Sequence, residues 1–326
     1  VIVKAIRVHE YGGPDVLRYE EVNEPEPGPG HIRVQVKAIG VNFVDVYQRT
    51  GAYPVELPYI PGREGAGVVE AVGEGVTQFR VGDRVAWATY PGAYAEKAVV
   101  PEALAVPLPA GIDFHTAAAV LLQGMTAHYL VHSAYPLGPG KRVLIHAGAG
   151  GVGLLAIQMA RQLGATVYTT VSNEVKAGSA LEAGAHHVIL YTRQDVAKEV
   201  RRLTDGEGVH VVYDSVGKDT LKSSLDSLAP RGCLVVFGQS SGPIEPLATE
   251  ALASRGSLFL TRTRLQDYIR TRGELLERAG AVLDAVAGGR LKVRIQSVHP
   301  LAAAPEAHRL LEGRKTIGKL LLVPSG

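Results

Sequence analysis

The sequence predicts an α/β protein with a doubly wound parallel sheet of six strands and a second, β-rich domain. Three observations carry the prediction. Residues 141–261 alternate regularly between short apolar runs and helical patterns. A glycine turn built on Gly148, Gly150 and Gly153 joins the first of those runs to the first helix. Residues 1–120 instead show short alternating or apolar runs parted by Gly/Pro turns.

The elements follow in chain order. Strands are expected at Val1–Val8, Ile32–Ala38, Gly67–Val72, Arg84–Ala88 and Ala95–Val99, with turns at Gly12-Gly13-Pro14 and Pro25–Gly30. A short helix is expected over 42–50, and a longer one over 113–133 with Asp113 as its N-cap. Lys141–His146 is short and largely apolar, as a strand buried on both faces should be. After the glycines, Val152, Leu155, Ala156, Met159 and Leu163 share one helical face, and Gly164 stops that helix. Further strands are expected at 165–171, 187–190, 209–213, 232–237 and 257–261, with helices at about 174–183, 194–204 and 218–228. The tail reads as a helix near 272–288, a strand at Val293–Val298, a helix near 305–312 and a last strand at Lys319–Val323.

Gly148, Gly150 and Gly153 satisfy G-x-G-x-x-G, and each glycine has its own reason. One lets the chain turn tightly, one lets backbone approach a pyrophosphate, and one lets helix pack close to strand. The helix N-terminus then offers N–H groups and a positive dipole end to phosphates. The motif follows a strand, opens an amphipathic helix and leads into a second strand, which is the context that gives it meaning.

Composition narrows the function classes. The 326 residues are 46% hydrophobic and 20% charged, enough for about two globular domains. A net charge of +2 gives no electrostatic basis for a nucleic-acid or membrane partner. No apolar run is long enough for a transmembrane helix, and the opening V-I-V-K-A-I-R-V-H-E has no signal-peptide core. Cys233 is the one cysteine, which excludes an intrachain disulfide and a multi-cysteine metal site. A cytoplasmic location is expected.

Residues 61–86 carry a wider pattern: Gly62, Glu64, Gly67, Val69, Gly73, Val76 and then Gly82-Asp83-Arg84-Val85. This spacing resembles the medium-chain dehydrogenase/reductase superfamily, and within it the zinc-independent, zeta-crystallin-like NADPH:quinone oxidoreductases. A-I-G-V-N-F-V-D-V-Y (38–47), H-A-G-A-G-G-V-G (146–153), V-Y-D-S-V-G (212–217) and F-G-Q-S-S-G (237–242) extend the resemblance over essentially the whole chain. It implies a GroES-like substrate domain, residues 1–120 and 262–326, around an inserted Rossmann domain, residues 121–261. It also implies A-x-x-G-x-x-G as the functional form of the turn, with Ala147, Gly148, Gly150, Gly151, Val152 and Gly153 at the cofactor. A homo-oligomer, a dimer or tetramer, is implied through the Rossmann sheet edge near Ser257–Thr261.

Zinc-dependent relatives carry a cysteine before the short helix and a His-Glu pair after Pro-Gly. Here those positions hold Asn42 and Arg63-Glu64. Arginine has no lone pair to offer a metal and asparagine is a poor zinc ligand, so no metal is expected. Glu64 reads as a buried structural carboxylate paired with a nearby cation.

NAD-specific sites place an acid at the end of the second strand, on the ribose 2′-OH. Here the strand ends Thr169-Thr170-Val171 and continues Ser172-Asn173-Glu174-Val175-Lys176. Ser172 and Lys176 suit a 2′-phosphate, which needs a donor and a cation. In the family the matching lysine and a tyrosine, here Tyr191, form the NADP-binding pair, so NADPH is the expected cofactor. Glu174, one turn into a helix, reads as a dipole-compensating acid.

The resemblance places Asn42, Tyr47 and Thr126 about the nicotinamide, with Phe237, Gly238 and Ser240 contacting it from the Rossmann side. Without a metal, the acceptor oxygen must be polarised by hydrogen-bond donors, for which Tyr47, Asn42, Arg63 and Tyr53 are the candidates. The leading expectation is an NADPH-dependent quinone reductase. Its rivals are an enoyl or 2-alkenal reductase on the same scaffold and a non-enzymatic NADPH- or RNA-binding protein. Gly238–Gly242 matches G-x-S-x-G, but Pro243 and Pro246 follow where a nucleophile elbow needs a helix, which argues against a hydrolase.

Overall fold

The Gly/Pro-punctuated runs of the N-terminal region pair as antiparallel strands. β1 (Ile2–Arg7) pairs with β2 (Arg18–Asn23). The sequence reading misses β2 because R-Y-E-E-V-N carries no buried face, and only its pairing with β1 defines it. β3 (His31–Gly40), β4 (Glu64–Val72), β5 (Arg84–Ala88), β6 (Lys97–Pro101) and β7 (Ala105–Pro107) form most of a second sheet. Helix α1 (Phe43–Thr50) leaves the end of β3, and α2 (Phe114–Tyr129) follows β7.

The middle of the chain alternates as expected. It runs β8 (Arg142–Ile145), α3 (Gly151–Gln162), β9 (Thr166–Val171), α4 (Glu174–Ala183), β10 (His187–Leu190), α5 (Val196–Leu203), β11 (Val209–Asp214), α6 (Leu221–Ser227) and β12 (Leu228–Val236). A short α7 (Glu250–Ala253) and the edge strand β13 (Phe259–Arg262) complete it. All six strands are parallel, in the order β10-β9-β8-β11-β12-β13. The order reverses between β8 and β11, which makes the C-terminal end of β8 the switch point where dinucleotides bind.

The tail returns to the sheet of β3–β7 through α8 (Arg272–Ala287), β14 (Ile295–Pro300), α9 (Ala304–Glu312) and β15 (Lys319–Val323). That sheet has the order β14-β15-β3-β4-β5-β7, with β6 also on β3. Val34, Ile39, Trp87, Val100 and Leu320 lie in its core, all essentially without solvent contact.

The computed structural model describes residues 1–325. Its two compact units are Val1–Met125 with the segment from Ile269 onward, and Thr126–Tyr268. The junctions therefore fall a few residues beyond the expected 120/121 and 261/262. The first lies inside α2, where a continuous helix offers no turn or polar linker for composition to mark. Among the described residues no helix is long and apolar enough to cross a membrane.

Candidate active site

Sheet register assembles the centre of the first unit. β3 pairs with β4 so that Ile39 faces Gly65, and with β15 so that Gly40 faces Leu321. Both pairings bring Glu64 and Lys319 to the end of β3, where Asn42 precedes α1. The Lys319 ammonium donates to Glu64 Oε2 and to Asn42 Oδ1, each at 2.7 Å. Asn42 Nδ2 donates to Glu64 Oε2 at 2.9 Å and to the Gly40 carbonyl at 3.3 Å. Glu64 Oε1 accepts the Leu122 N–H from α2 at 2.7 Å. Glu64 and Lys319 are 0% and 1% exposed, a fully buried ion pair whose remaining sites are hydrogen-bonded, as such a pair requires. Gly40 is glycine for a steric reason: a Cβ there would overlap the Glu64 carboxylate and the Ala118 carbonyl.

A second buried chain holds α1. The Asp45 carboxylate accepts the Asn42 N–H at 2.9 Å, as an acid at the third helical position does, and accepts the Tyr94 hydroxyl at 3.1 Å through the same oxygen. Tyr94 Oη lies 3.0 Å from His308 Nε2, and His308 Nδ1 lies 2.8 Å from Arg49 Nη1. Arg49 makes a two-pronged pair with Glu312 at 2.7 and 2.9 Å. Arginine can only donate, so His308 Nδ1 accepts, its Nε2–H donates to Tyr94, and Tyr94 donates to Asp45. Burial, helped by the Arg49 charge, pulls the His308 imidazole down to about 3 and keeps it neutral. Burial pushes the Asp45 carboxyl up to about 7 against the lowering hydrogen bonds. Asp45 Oδ1 is buried with no hydrogen-bond partner among the described residues.

The opposite side of α1 carries the aromatic residues. Tyr47 is half-buried, its ring 5.0 Å from that of Tyr53 and 6.1 Å from that of Phe43. The Tyr53 N–H donates to the Tyr47 carbonyl at 2.9 Å, which ties the following turn to the helix. Arg63 donates from Nη1 to the Thr89 carbonyl at 2.8 Å and from Nε to Gln48 at 3.4 Å.

Two of the candidate donors are engaged within the protein. Both amide hydrogens of Asn42 go to protein acceptors. Arg63 braces α1 against the Thr89 loop through its Nε and Nη1. Lys319, Asp45, Tyr94 and His308 join the site without having been expected from the sequence. A lone lysine heading the apolar run K-L-L-L-V and an acid three residues after Asn42 were the available signals.

In the second unit the strand ends collect the expected cofactor residues. After β8, Ala147 adopts the left-handed conformation (φ 54°), and the Gly148 N–H donates to Thr170 at the end of β9. Gly150 is the N-cap of α3 and brings no capping side chain, so the first-turn N–H groups of Gly151, Val152 and Gly153 are left without a side-chain cap. A Cβ on Gly153 would overlap the Ala147 carbonyl, so only glycine lets α3 start this close to β8. After β9, Ser172 and Lys176 are half-buried, and Asn173 caps α4 by accepting the Lys176 N–H at 2.9 Å. The 191–193 turn lies against this loop: Tyr191 N–H donates to Val171, and Thr192 Oγ1 to the Ser172 carbonyl at 2.8 Å. Glu174 pairs with Arg193 at 3.1 Å, so its charge is locally balanced. After β12, Phe237 N–H donates to Asp214 and Ser240 N–H to Ser215, which lays 237–240 along the end of β11. Gly238 allows that approach, since a Cβ would sit 2.7 Å from the Ser215 carbonyl. Thr126, buried on α2, belongs to this unit.

Ser224, His146 and Asp214 are also in contact, at 2.9 Å for His146–Ser224 and 2.7 Å for Ser224–Asp214. Ser224 lies between the other two and is 0% exposed, so the group braces the glycine turn and is no nucleophile.

Residues 28–110 match the alcohol dehydrogenase GroES-like domain, and residues 151–284 the zinc-binding dehydrogenase domain. A quinone oxidoreductase of Pseudomonas aeruginosa is 47% identical over 99% of this chain and 100% of its own length. A 2-haloacrylate reductase of Burkholderia sp. is 46% identical, with 99% of each chain covered. The structure of Escherichia coli quinone oxidoreductase complexed with NADPH superposes with a TM-score of 0.97 at 44% identity, covering 98% of this chain and 100% of that one. Likeness of this extent, on top of a Rossmann sheet in its characteristic strand order, shows that the chain belongs to the quinone oxidoreductases of the medium-chain dehydrogenase/reductase superfamily.

Proposed function

We propose that this protein is an NADPH-dependent quinone reductase that works without a metal. The observation that carries this reading is the full-length match to quinone oxidoreductases, one of them solved with NADPH.

The site's own chemistry supports it. NADPH fits the second unit: a turn packed so closely that a Cβ on Gly148 or Gly153 would overlap Thr169 or the Ala147 carbonyl, helix N–H groups without a side-chain cap for the pyrophosphate, and Ser172, Lys176 and Tyr191 for the 2′-phosphate. Zinc does not fit the first unit. The Lys319 ammonium already lies between Asn42 and Glu64, the Glu64 oxygens are hydrogen-bonded, and Arg63 is a cation itself. No step therefore runs through a metal.

When bound, NADPH supplies a hydride to an acceptor. Ala147–Gly153 would hold the pyrophosphate, and Phe237, Gly238, Ser240 and Thr126 would orient the nicotinamide end. Tyr47 donates its hydroxyl hydrogen bond to the acceptor oxygen as negative charge develops there, with Tyr53 packing its ring. Asn42 holds the start of α1 in place. Solvent supplies the one proton that, together with the transferred hydride, completes a hydroquinone.

The Burkholderia 2-haloacrylate reductase favours a second reading, reduction of an activated C=C bond. Following NADPH oxidation with a panel of quinones, 2-alkenals and 2-haloacrylate separates the two. Turnover of the quinones is expected; turnover of the unsaturated compounds alone would replace the first reading with the second. A homodimer through β13 belongs to the same proposal, supported by its place at the sheet edge and by exposed Phe259 and Leu260. Phe259→Lys should then yield monomers in size-exclusion chromatography. The single, buried cysteine and the near-neutral charge support a cytoplasmic location.

A further inference from the structure

Asn42 is held twice, and only one hold is explained by the charge cluster around Glu64. Its side chain goes to Glu64 and Lys319, while its backbone N–H goes to Asp45. Asp45 is in turn the end of a one-way donor chain, Arg49 to His308 to Tyr94 to Asp45, whose first member, Arg49, also donates to the half-buried Glu312 on α9. Every member between Arg49 and Asp45 is at most 1% exposed. A helix of eight residues needs one capping interaction, not a buried relay spanning α1, the Tyr94 segment and α9.

The chain is also rigid in its parts. Tyr94 stands edge-on to His308, with ring centroids 5.9 Å apart, and packs against Gly62, where a Cβ would overlap its ring. Asp45, Gln48 and Arg49 pin the buried face of α1, and Tyr47 lies between them in sequence on the half-buried face. A displacement of Asp45 therefore moves Tyr47.

We infer that Asp45 is a positioning residue for the reaction. The His308–Tyr94 relay keeps its carboxylate on the Asn42 N–H, and that hold places the first turn of α1 and the Tyr47 hydroxyl. The inference rests on the reading of Tyr47 as the donor to the acceptor oxygen. An error of about 1 Å in such a donor can cost as much as ~100-fold in rate.

The test is a double-mutant cycle on the full-length enzyme with NADPH and one quinone. Tyr94→Phe keeps the ring and removes the hydroxyl that links His308 to Asp45. It should lower kcat about tenfold while leaving the NADPH Kd within about twofold. On a Tyr47→Phe background the same change should cost less than about twofold, because Tyr94 acts through Tyr47. A tenfold loss that persists undiminished on Tyr47→Phe overturns the coupling and leaves the donor reading standing. Tyr47→Phe with parental kinetics removes the donor reading itself, and the inference with it. If Tyr94→Phe does not fold, Asp45→Asn, which keeps the shape and one acceptor oxygen, replaces it in the cycle with the same expected coupling.

Discussion

Replacing Asp45 by asparagine should change how the protein's stability responds to pH. Two buried groups with opposite shifts sit on the same relay. The Asp45 carboxyl is raised from 3.8 to about 7, by burial first. The His308 imidazole is lowered from 6.5 to about 3, again by burial first. Lys319, Glu64 and Tyr94 face Asp45, and Tyr59, Arg49 and Arg63 complete the charged and titratable surroundings. Between pH 4 and 6.5 the folded protein holds a proton at Asp45 that the unfolded chain has lost, so Asp45 favours folding at low pH and loses that contribution as pH rises. Over the same range the unfolded chain protonates His308 and the folded protein does not, so His308 favours folding at high pH. In the parent these two contributions oppose each other, each at most about 1.4 kcal/mol per pH unit. Asp45→Asn removes one of them. The stability of the parent relative to the variant should then fall by about 3 kcal/mol between pH 4.5 and 7, at about 1.4 kcal/mol per pH unit. Urea unfolding followed by the fluorescence of Trp87, the one tryptophan and fully buried in β5, reads the unit that contains Asp45. Taking the difference between parent and variant cancels every other titrating group. A difference that does not change with pH would refute the assignment of a raised carboxyl to Asp45.

Three further outcomes are expected. Lys176→Ala should weaken NADPH binding by roughly 10- to 150-fold, toward the low end because the side chain is partly exposed, and leave NADH nearly unchanged; paired titrations at one ionic strength check it. Gly150→Ala, whose Cβ would meet only the Ala147 carbonyl at 3.3 Å, should keep the parental melting temperature and lose NADPH affinity, whereas Gly153→Ala should lose about 1–3 kcal/mol of stability as well; thermal melts and cofactor titrations together separate the two. Activity should survive dialysis against a strong chelator, and one equivalent of zinc lost together with activity would contradict the placement of Lys319.

Local chemistry made the second unit legible. A strand, a glycine turn and a helix are contiguous from 142 to 162, and each carries its own signature of apolar run, left-handed or close-packed position and helical face. The NADP reading likewise rests on residues 169–176, a single strand end and the helix after it. Asn42 and Glu64 were readable as positions, since each stands beside a recognisable turn or motif. What those residues do was not readable. The partner of Glu64 is 255 positions away on β15, and the relay behind Asp45 closes through a histidine 259 positions from Arg49.

The α/β alternation, the dinucleotide turn and the unsuitability of Asn42 and Arg63 as metal ligands are therefore legible along the chain, because each depends on residue type and near-neighbour spacing. That Lys319 lies between Asn42 and Glu64, that the amide of Asn42 is already engaged, and that burial pushes the Asp45 carboxyl up and the His308 imidazole down emerge from the folded arrangement alone. Sheet register and burial control all three, and both are set by pairings between chain segments far apart in the sequence.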